Sequence, residues 1–206
     1  MSLENVVFQP AHDVLPQNVR AFLLQAEKQI CEFTLSRQLH VRGFISCSFE
    51  VAYLALRQIT AARLTNGKMF CEWGSGFGVT AALAAMMGFE AYGIEIDTDL
   101  CDASHRLARQ FDIPVRFVAG SFIPEGSFQM IADARGKIGG DLTLIAESDQ
   151  AYEKLGKEIK EFDLIFAYPW PNDKNLTETI FDSYASRGSL LLTYNGSGTV
   201  QLQRKV

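Results

Sequence analysis

Three glycines at alternate positions lie between two glutamates in the segment FCEWGSGFGVTAALAAMMGFEAYGIEID, residues 70–97. Gly74, Gly76 and Gly78 follow Glu72, and Glu95 lies near the end of the segment. Glycine permits positive φ angles and lets a ligand approach the backbone closely. A tight turn that binds nothing is the alternative. The glycine pattern favours a ligand-binding loop with a carboxylate on either side.

The two carboxylates narrow the chemistry of the ligand. The dinucleotide fingerprint GxGxxG/A requires Gly or Ala where this chain has Val79. A carboxylate at Glu72 would also repel a pyrophosphate held at a helix N-terminus. Glu95 ends the second predicted strand of the unit, where an acid accepts hydrogen bonds from ribose hydroxyls. We therefore expect a nucleoside that carries positive charge and no phosphate. Asp97 and Asp99, which follow, are interpreted as N-capping residues of the next helix.

Short apolar runs alternate with helical patterns from residue 68 onward. Such runs joined by helices predict an α/β fold with a doubly wound, mostly parallel sheet and right-handed crossovers. The predicted strands are 68–72, 91–96, 115–119, 162–168 and 189–194, the intervening helices are 79–87, 98–111 and 173–186, and residues 199–205 form an antiparallel edge strand. Between them, residues 128–134 are predicted as a short helix and 147–160 as a solvated helix.

The first third of the chain is predicted to be helical and to precede any strand. Apolar spacings of three and four residues over 13–40 indicate one or two amphipathic helices, and a second region begins at the N-cap residue Ser48 and ends near Leu64. We expect residues 1–66 to form a helical extension or lid, with 21–64 covering the acceptor, packed on a ligand-binding domain of residues 67–206.

Composition restricts the class of partner. The net charge of −5 argues against nucleic acid, because phosphate neutralisation needs clustered Lys and Arg. The N-terminus has no uninterrupted apolar stretch, so we expect neither a signal peptide nor a membrane span, and a cytoplasmic protein. The four cysteines form no CxxC pair and lack histidines at ligand spacing. Reduced core thiols, and no metal, are expected. The oligomeric state is left open.

The motifs CEWGSGFG and YGIEID resemble motifs I and II of the class I S-adenosylmethionine-dependent methyltransferases, and the resemblance extends from Lys68 to Tyr194. It implies a Rossmann-like sheet of order 3-2-1-4-5 and the cofactor S-adenosylmethionine, which carries a sulfonium and an ammonium but no phosphate. It further implies that Glu72 and the glycines surround the methionine part and that Glu95 binds the ribose. The other cofactor contacts expected within the resemblance are Trp73, Ser75, Ile96, Ser121, Phe122 and Tyr168.

The family often places an acid after the third strand, beside an apolar residue that contacts the adenine. Here Ser121 replaces the acid, and Phe122 either stacks on the base or belongs to the core. These two interpretations stay open.

The segment AYPWPND, after the fourth core strand, is similar to the D/N-P-P-Y/W motif of amino methyltransferases. Tyr168 replaces the acid or amide and Trp170 interrupts the proline pair, so the match is partial. The prolines stiffen the backbone, and we predict Tyr168, Pro169 and Trp170 as the catalytic residues beside the methyl group. A rigid surface turn is the alternative. The aromatic rings could attract a cationic acceptor.

Methyl transfer is an in-line displacement that requires alignment, exclusion of water and in some cases removal of a proton. The candidate bases are Tyr168 and Asp173; an ordinary tyrosine pKa of about 10 makes Tyr168 a weak base. We expect a nitrogen acceptor on a small molecule or a protein side chain. Two alternatives remain: an NAD(P)-dependent oxidoreductase on a Rossmann fold, and a cofactor-binding protein without catalysis.

Overall fold

The computed structural model describes residues 2–8, 14–36, 48–127, 150–169, 173–196 and 198–206. The strands are β1 (Leu3–Asn5), β2 (Met69–Trp73), β3 (Glu90–Glu95), β4 (Val115–Ala119), β5 (Leu164–Ala167), β6 (Leu190–Asn195) and β7 (Thr199–Lys205). The helices are α1 (Gln17–Ser36), α2 (Phe49–Ala61), α3 (Val79–Met86), α4 (Thr98–Gln110), α5 (Ala151–Leu155) and α6 (Lys174–Tyr184), with a 3₁₀ turn at Ile159–Glu161.

All seven strands form one sheet in the order β1-β7-β6-β5-β2-β3-β4. The five strands from β2 to β6 are parallel, and their arrangement β4-β3-β2-β5-β6 confirms the predicted order 3-2-1-4-5. β7 runs antiparallel to β6, also as predicted. The chain leaves β2 toward β3 on one side and meets β5 on the other, so the topological switch point lies between β2 and β5.

The edge of the sheet differs from the expectation in one respect. β7 was predicted as the edge strand. Instead β1 pairs antiparallel with β7, from Leu3 opposite Lys205 to Asn5 opposite Gln203. Its anchor is Asp182 of α6, which accepts hydrogen bonds from the backbone N–H and the hydroxyl of Ser2. The N-terminal region therefore contains a strand that the sequence did not signal.

Side chains that alternate along the strands feed two cores, one on each face of the sheet. The first core contains Phe70 of β2 together with buried residues of α1, α2, α3 and α4. The second contains Cys71 and Trp73 of β2 with residues of α5 and α6. Each face is thus covered by helices, as a doubly wound parallel sheet requires.

The predicted solvated helix of residues 147–160 is wrong in its character. In the described part of that region, the α-helix is the five-residue α5, Ala151–Leu155, and both of its end residues are buried in the second core. Charged residues around them hide this burial in the sequence. The short helix predicted at 128–134 lies outside the described residues.

Two remaining expectations concern cysteines and membranes. Cys71 and Cys101 are buried free thiols, but Cys31 is exposed on α1, so the prediction of core thiols is wrong for Cys31. Cys47 lies outside the described residues. Within the described ranges, no helix combines the length and the apolar character that a bilayer crossing demands.

Candidate functional site

The glycine loop joins β2 to α3 at the carboxyl edge of the sheet. Gly74, Gly76 and Gly78 have φ angles of +67°, +52° and +66°, in the left-handed region that favours glycine. The loop is closed by a hydrogen bond from the N–H of Ser75 to the carbonyl of Ile94, 2.9 Å long. A Cβ at Gly74 would have no atom of the described residues within 4 Å apart from its two chain neighbours, so the described part of the structure leaves the loop open there.

Glu72 lies beneath the loop and is only 5% exposed. Its Oε2 accepts a hydrogen bond from the backbone N–H of Ala81, 2.8 Å away, in the first turn of α3. The residue at the N-cap of α3 is Gly78, which has no side chain to offer, so Glu72 satisfies this orphan donor from the neighbouring strand. Burial raises the pKa of Glu72 to about 8, although the donors of Ala81 and Thr80 oppose the rise.

Glu95 ends β3 and is 7% exposed. Its Oε2 accepts from the N–H of Gly76 at 2.7 Å, and its Oε1 accepts from the N–H of Asp97 at 2.9 Å. Burial raises its pKa, again against the effect of these donors. A carboxylate has about four acceptor positions. Two are used by the backbone, and the remaining capacity is available for hydroxyl groups of a ligand.

Asp97 caps α4, as the sequence predicted. Its Oδ1 accepts from the backbone N–H groups of Asp99 and Leu100 at 2.9 and 3.2 Å. Ile96, between the two acids, is 46% exposed at this edge. An exposed large apolar side chain next to the site suits contact with a flat apolar group of a ligand.

Phe117 of β4 packs against Gly78, the last glycine of the loop. A Cβ at Gly78 would lie 2.3 Å from its ring, and a Cβ at Gly93 of β3 would lie 2.5 Å from it. The ring fills the space that side chains at both glycines would need. His105 packs edge-on against Phe117, with ring centroids 5.5 Å apart.

The segment after β4 brings Ser121 and Phe122 to the same edge. Ser121 is buried, and its hydroxyl accepts a hydrogen bond from the N–H of Ile123 at 3.2 Å. The ring of Phe122 stacks on Trp73, with centroids 4.9 Å apart and planes 9° apart. The side chain of Trp73 is 2% exposed and belongs to the second core. Trp73 therefore supports the site through Phe122.

Tyr168 follows β5 at the switch point. The register pairs Ala167 with Trp73, so Tyr168 and Gly74 are the next residues beyond a matched pair. The ring of Tyr168 packs edge-on against that of Tyr194 at the end of β6, with centroids 4.9 Å apart. A Cβ at Gly196 would lie 3.5 Å from the Tyr168 hydroxyl. Tyr168 is thus the residue beside the glycine loop, and Tyr194 and the hairpin turn contact Tyr168.

The other predicted catalytic residues are Pro169 and Trp170, and Asp173 is the second candidate base. Pro169 directly follows Tyr168, and Trp170 lies outside the described residues. Asp173 is fully buried just before α6, where its carbonyl accepts from the N–H and hydroxyl of Thr177. These bonds involve the backbone of Asp173, and the role of its carboxyl group as a base stays a prediction. Among the described residues, no group of three or more potential metal ligands is present.

Helix α1 reaches the glycine loop through an aromatic contact. Phe33 packs edge-on against Phe77 of the loop, with ring centroids 5.2 Å apart, and Phe77 is buried. The apolar residues Val19, Phe22, Leu23 and Ala26 of α1 are also buried in the first core. The proposed lid role of the N-terminal helices stays a prediction, but one of them contacts the loop directly.

Sequence reasoning missed three residues that shape the site. Phe117 and Tyr194 are apolar or aromatic residues within strands and carry no signal that separates them from ordinary core. Tyr152 of α5, whose hydroxyl donates to the carbonyl of Phe122 at 2.8 Å, lies in a stretch that reads as solvated. Their roles follow only from the close approach of segments that are distant in sequence.

Comparison with solved structures supports the same fold. An RNA methyltransferase from Salinibacter ruber, in complex with S-adenosyl-L-homocysteine, superposes with a TM-score of 0.51 at 18% identity, covering 79% of this chain and 94% of its own. A hypothetical protein from Thermus thermophilus gives 0.51 at 17% identity, with coverages of 82% and 91%. An O-methyltransferase from Bacillus cereus gives 0.50 at 11% identity, with coverages of 91% and 70%.

The chain has the Rossmann-like methyltransferase fold. No protein-family model matches it, and no curated protein matches its sequence. At identities of 11% to 18% the likeness concerns the fold. The fold alone does not determine the function of this chain, which depends on the residues at its site.

Proposed function

We propose that the protein is an S-adenosylmethionine-dependent methyltransferase. The observation that carries the proposal is a pair of buried acids at the switch point, on either side of the open glycine loop. Glu95 accepts a hydrogen bond from the loop and Glu72 accepts one from the first turn of α3. Two carboxylates favour the binding of a cationic nucleoside and would repel a pyrophosphate. The methyltransferase fold supports the same conclusion.

The residues present fit S-adenosylmethionine. Gly74 faces space that a side chain would fill, so the ligand can lie against the backbone. The positive charges of the methionine part would favour the ionised form of Glu72, whose pKa burial raises to about 8, and would be attracted to it. Glu95 has acceptor capacity left for the ribose. Ile96 on one side and Ser121 with Phe122 on the other frame a place for the adenine.

The bound cofactor would supply an electrophilic methyl group. The chain's own residues would then align the acceptor lone pair with the methyl carbon and exclude water. The proposed acceptor-binding residues are Tyr168, Pro169 and Trp170. Tyr194 is added to them because its ring contacts that of Tyr168. We propose a nitrogen acceptor on a small molecule or a protein side chain, because aromatic faces attract cationic or amine-bearing groups.

Cofactor binding is tested first by thermal unfolding. A ligand at about 100 times its Kd stabilises the fold by about 2.7 kcal/mol, which raises Tm by roughly 5–10 °C for a domain of this size. S-adenosylmethionine and S-adenosylhomocysteine should both produce this shift, whereas NAD should not. If neither sulfur nucleoside raises Tm, the proposal fails, and stabilisation by NAD alone would favour an oxidoreductase.

Catalysis needs a separate test with methyl-labelled S-adenosylmethionine. Small amines, a lysine- and arginine-containing peptide library and an RNA pool serve as acceptors, since one structural neighbour is an RNA methyltransferase. Label in the amines or peptides supports the proposed acceptor class. Label in RNA alone refutes that class, and binding without transfer to any acceptor indicates a non-catalytic protein.

A further inference from the structure

The backbone that leaves β4 is held at three points. The N–H of Gly120 donates to the carbonyl of Glu95 at 2.8 Å, which ties the segment to the end of β3. The Nζ of Lys154 donates to the carbonyl of Ala119 at 3.0 Å, and the hydroxyl of Tyr152 donates to the carbonyl of Phe122 at 2.8 Å. Two of the three attachments thus come from the short helix α5.

The helix is itself anchored firmly enough to act as a fixed point. Ala151 and Leu155, at its two ends, are 0% and 1% exposed in the second core. Gly156 ends the helix with a φ of +64°. Because both ends of the helix are buried in the core, a side chain on the helix can restrain the position of a neighbouring segment.

Phe122 is restrained on its ring as well as on its carbonyl. Its ring stacks on the buried indole of Trp73, so movement of the 121–123 backbone would break the stack. Ser121 closes the same turn by accepting from Ile123, whose side chain is 1% exposed. The hydrogen bond from Tyr152 links this turn to α5, whereas the stack on Trp73 links it to β2.

We propose that Tyr152 is a positioning residue for recognition of the adenine base, acting through the Phe122 carbonyl on the 121–123 backbone. The inference rests on the proposed function, because the base is that of S-adenosylmethionine. The ribose and methionine parts are assigned to the glycine loop and to Glu95, on other strands. Displacement of the 121–123 turn should therefore weaken discrimination between bases more than the general affinity for the nucleoside.

The donor role of Tyr152 does not depend on pH in the ordinary range. Burial raises the pKa of its hydroxyl well above the usual tyrosine value. The hydroxyl therefore stays protonated and keeps donating to Phe122 wherever the protein is folded. A change in base discrimination on removal of the hydroxyl can thus be measured at a single pH.

The test compares two probes, S-adenosylhomocysteine and its 6-oxo analogue S-inosylhomocysteine, by calorimetry on the full chain. Tyr152→Phe removes the hydroxyl and keeps the ring. Since a neutral hydrogen bond contributes about 1 kcal/mol, the Kd for S-adenosylhomocysteine should rise about five-fold. The Kd for the 6-oxo analogue should change less, so the discrimination, expressed as the Kd of the 6-oxo analogue divided by that of S-adenosylhomocysteine, falls.

Tyr92→Phe is the matched control. Tyr92 is a buried tyrosine whose hydroxyl donates to Glu90 at the amino end of β3, on the edge of the sheet opposite the site. Removal of its hydroxyl should leave both constants and their ratio unchanged. A merely structural effect would lower the urea midpoint of either variant without changing the ratio of the two constants.

The possible failures are distinguishable. An unchanged ratio in Tyr152→Phe, with S-adenosylhomocysteine bound by the wild type, overturns the role of Tyr152 and leaves the proposed function intact. An equal fall of the ratio in Tyr92→Phe overturns it too, because the effect would then be general. If the wild type binds neither probe, the proposed function itself fails, and this inference fails with it.

Discussion

Glu72→Gln should stabilise the ligand-free protein at alkaline pH and weaken its binding of the cofactor. The substitution preserves shape and removes the ionisable group. Gln keeps an oxygen to accept from the N–H of Ala81. Its NH₂ group can donate to the hydroxyl of Thr80, which lies beside the carboxyl group. The packing cost of the change should therefore be small.

The magnitude follows from the pKa of Glu72. In the unfolded chain the group ionises around 4.5, and in the fold burial raises its pKa to about 8. Below pH 4.5 Glu72 is protonated in both the folded and the unfolded state, and its contribution to the free energy of unfolding is fully present. As pH rises to 8 the unfolded chain ionises and the folded chain does not, so the free energy of unfolding falls and the contribution is lost. One pKa unit corresponds to about 1.4 kcal/mol, so the loss across this window is on the order of 5 kcal/mol.

The assay is urea unfolding of the ligand-free wild type and variant at several pH values between 5 and 8.5. The difference in free energy of unfolding should grow in favour of the variant by about 1.4 kcal/mol per pH unit. Glu50→Gln, an exposed glutamate of α2, should show no such slope. A difference that stays constant from pH 5 to 8.5 would refute the assignment of a buried, neutral Glu72.

The same variant should bind S-adenosylmethionine at least about ten-fold more weakly, because it lacks a carboxyl group that is about half ionised at pH 8 and whose ionised form would attract the sulfonium and ammonium. Calorimetry at pH 8 measures this. Gain of stability with loss of affinity is the signature of a group retained for function at a cost to the fold. Gain of stability with unchanged affinity would remove Glu72 from the site.

Two further predictions concern the loop. Glu95→Gln, although isosteric, should destabilise the protein by about 1–3 kcal/mol, because both oxygens accept from backbone N–H groups and an NH₂ cannot; urea unfolding measures it, and wild-type stability in the variant would contradict these two bonds. Gly93→Ala should cost about 1–3 kcal/mol by pressing on Phe117, and Phe117→Leu in the same chain should recover part of that loss; strictly additive effects in this double-mutant cycle would show that the two residues do not compete for space.

The parallel strands were predictable because they are short apolar runs, and β7 was predictable because its apolar residues alternate with polar ones. Val115–Ala119 and Thr199–Lys205 have the predicted bounds, and the other strands differ by one or two residues at their ends. The order of the parallel strands follows from right-handed crossovers and the position of the glycine loop. Local sequence is sufficient where a buried strand must be apolar on both faces.

Strand β1 and the shortness and burial of helix α5 were not predictable, for physical reasons. Leu3–Asn5 has no alternating apolar pattern, and its place in the sheet depends on backbone pairing with β7. Ala151–Leu155 is too short for helical periodicity to be visible, and its burial depends on the far side of the sheet. Both elements owe their position to tertiary contacts.

The sequence identified the two acids of the site but not their partners. Both carboxylates hold backbone N–H groups of the loop or of α3, and these bonds exist only because the glycines adopt left-handed conformations. A residue pattern does not state which way an N–H points. The acids therefore have a double role, since they shape the loop as well as face the proposed cation.

The three glycines share a backbone conformation, but their surroundings differ. Gly78 is packed against Phe117, and Gly76 directs its N–H at Glu95. Gly74 has no such neighbour, since an added Cβ would lie more than 4 Å from every described residue except the two adjacent in the chain. The protein's own packing explains the absence of a side chain at Gly78. At Gly74 the positive φ favours glycine while packing imposes no such requirement, and in the proposed function this bare stretch of backbone is where the ligand would lie.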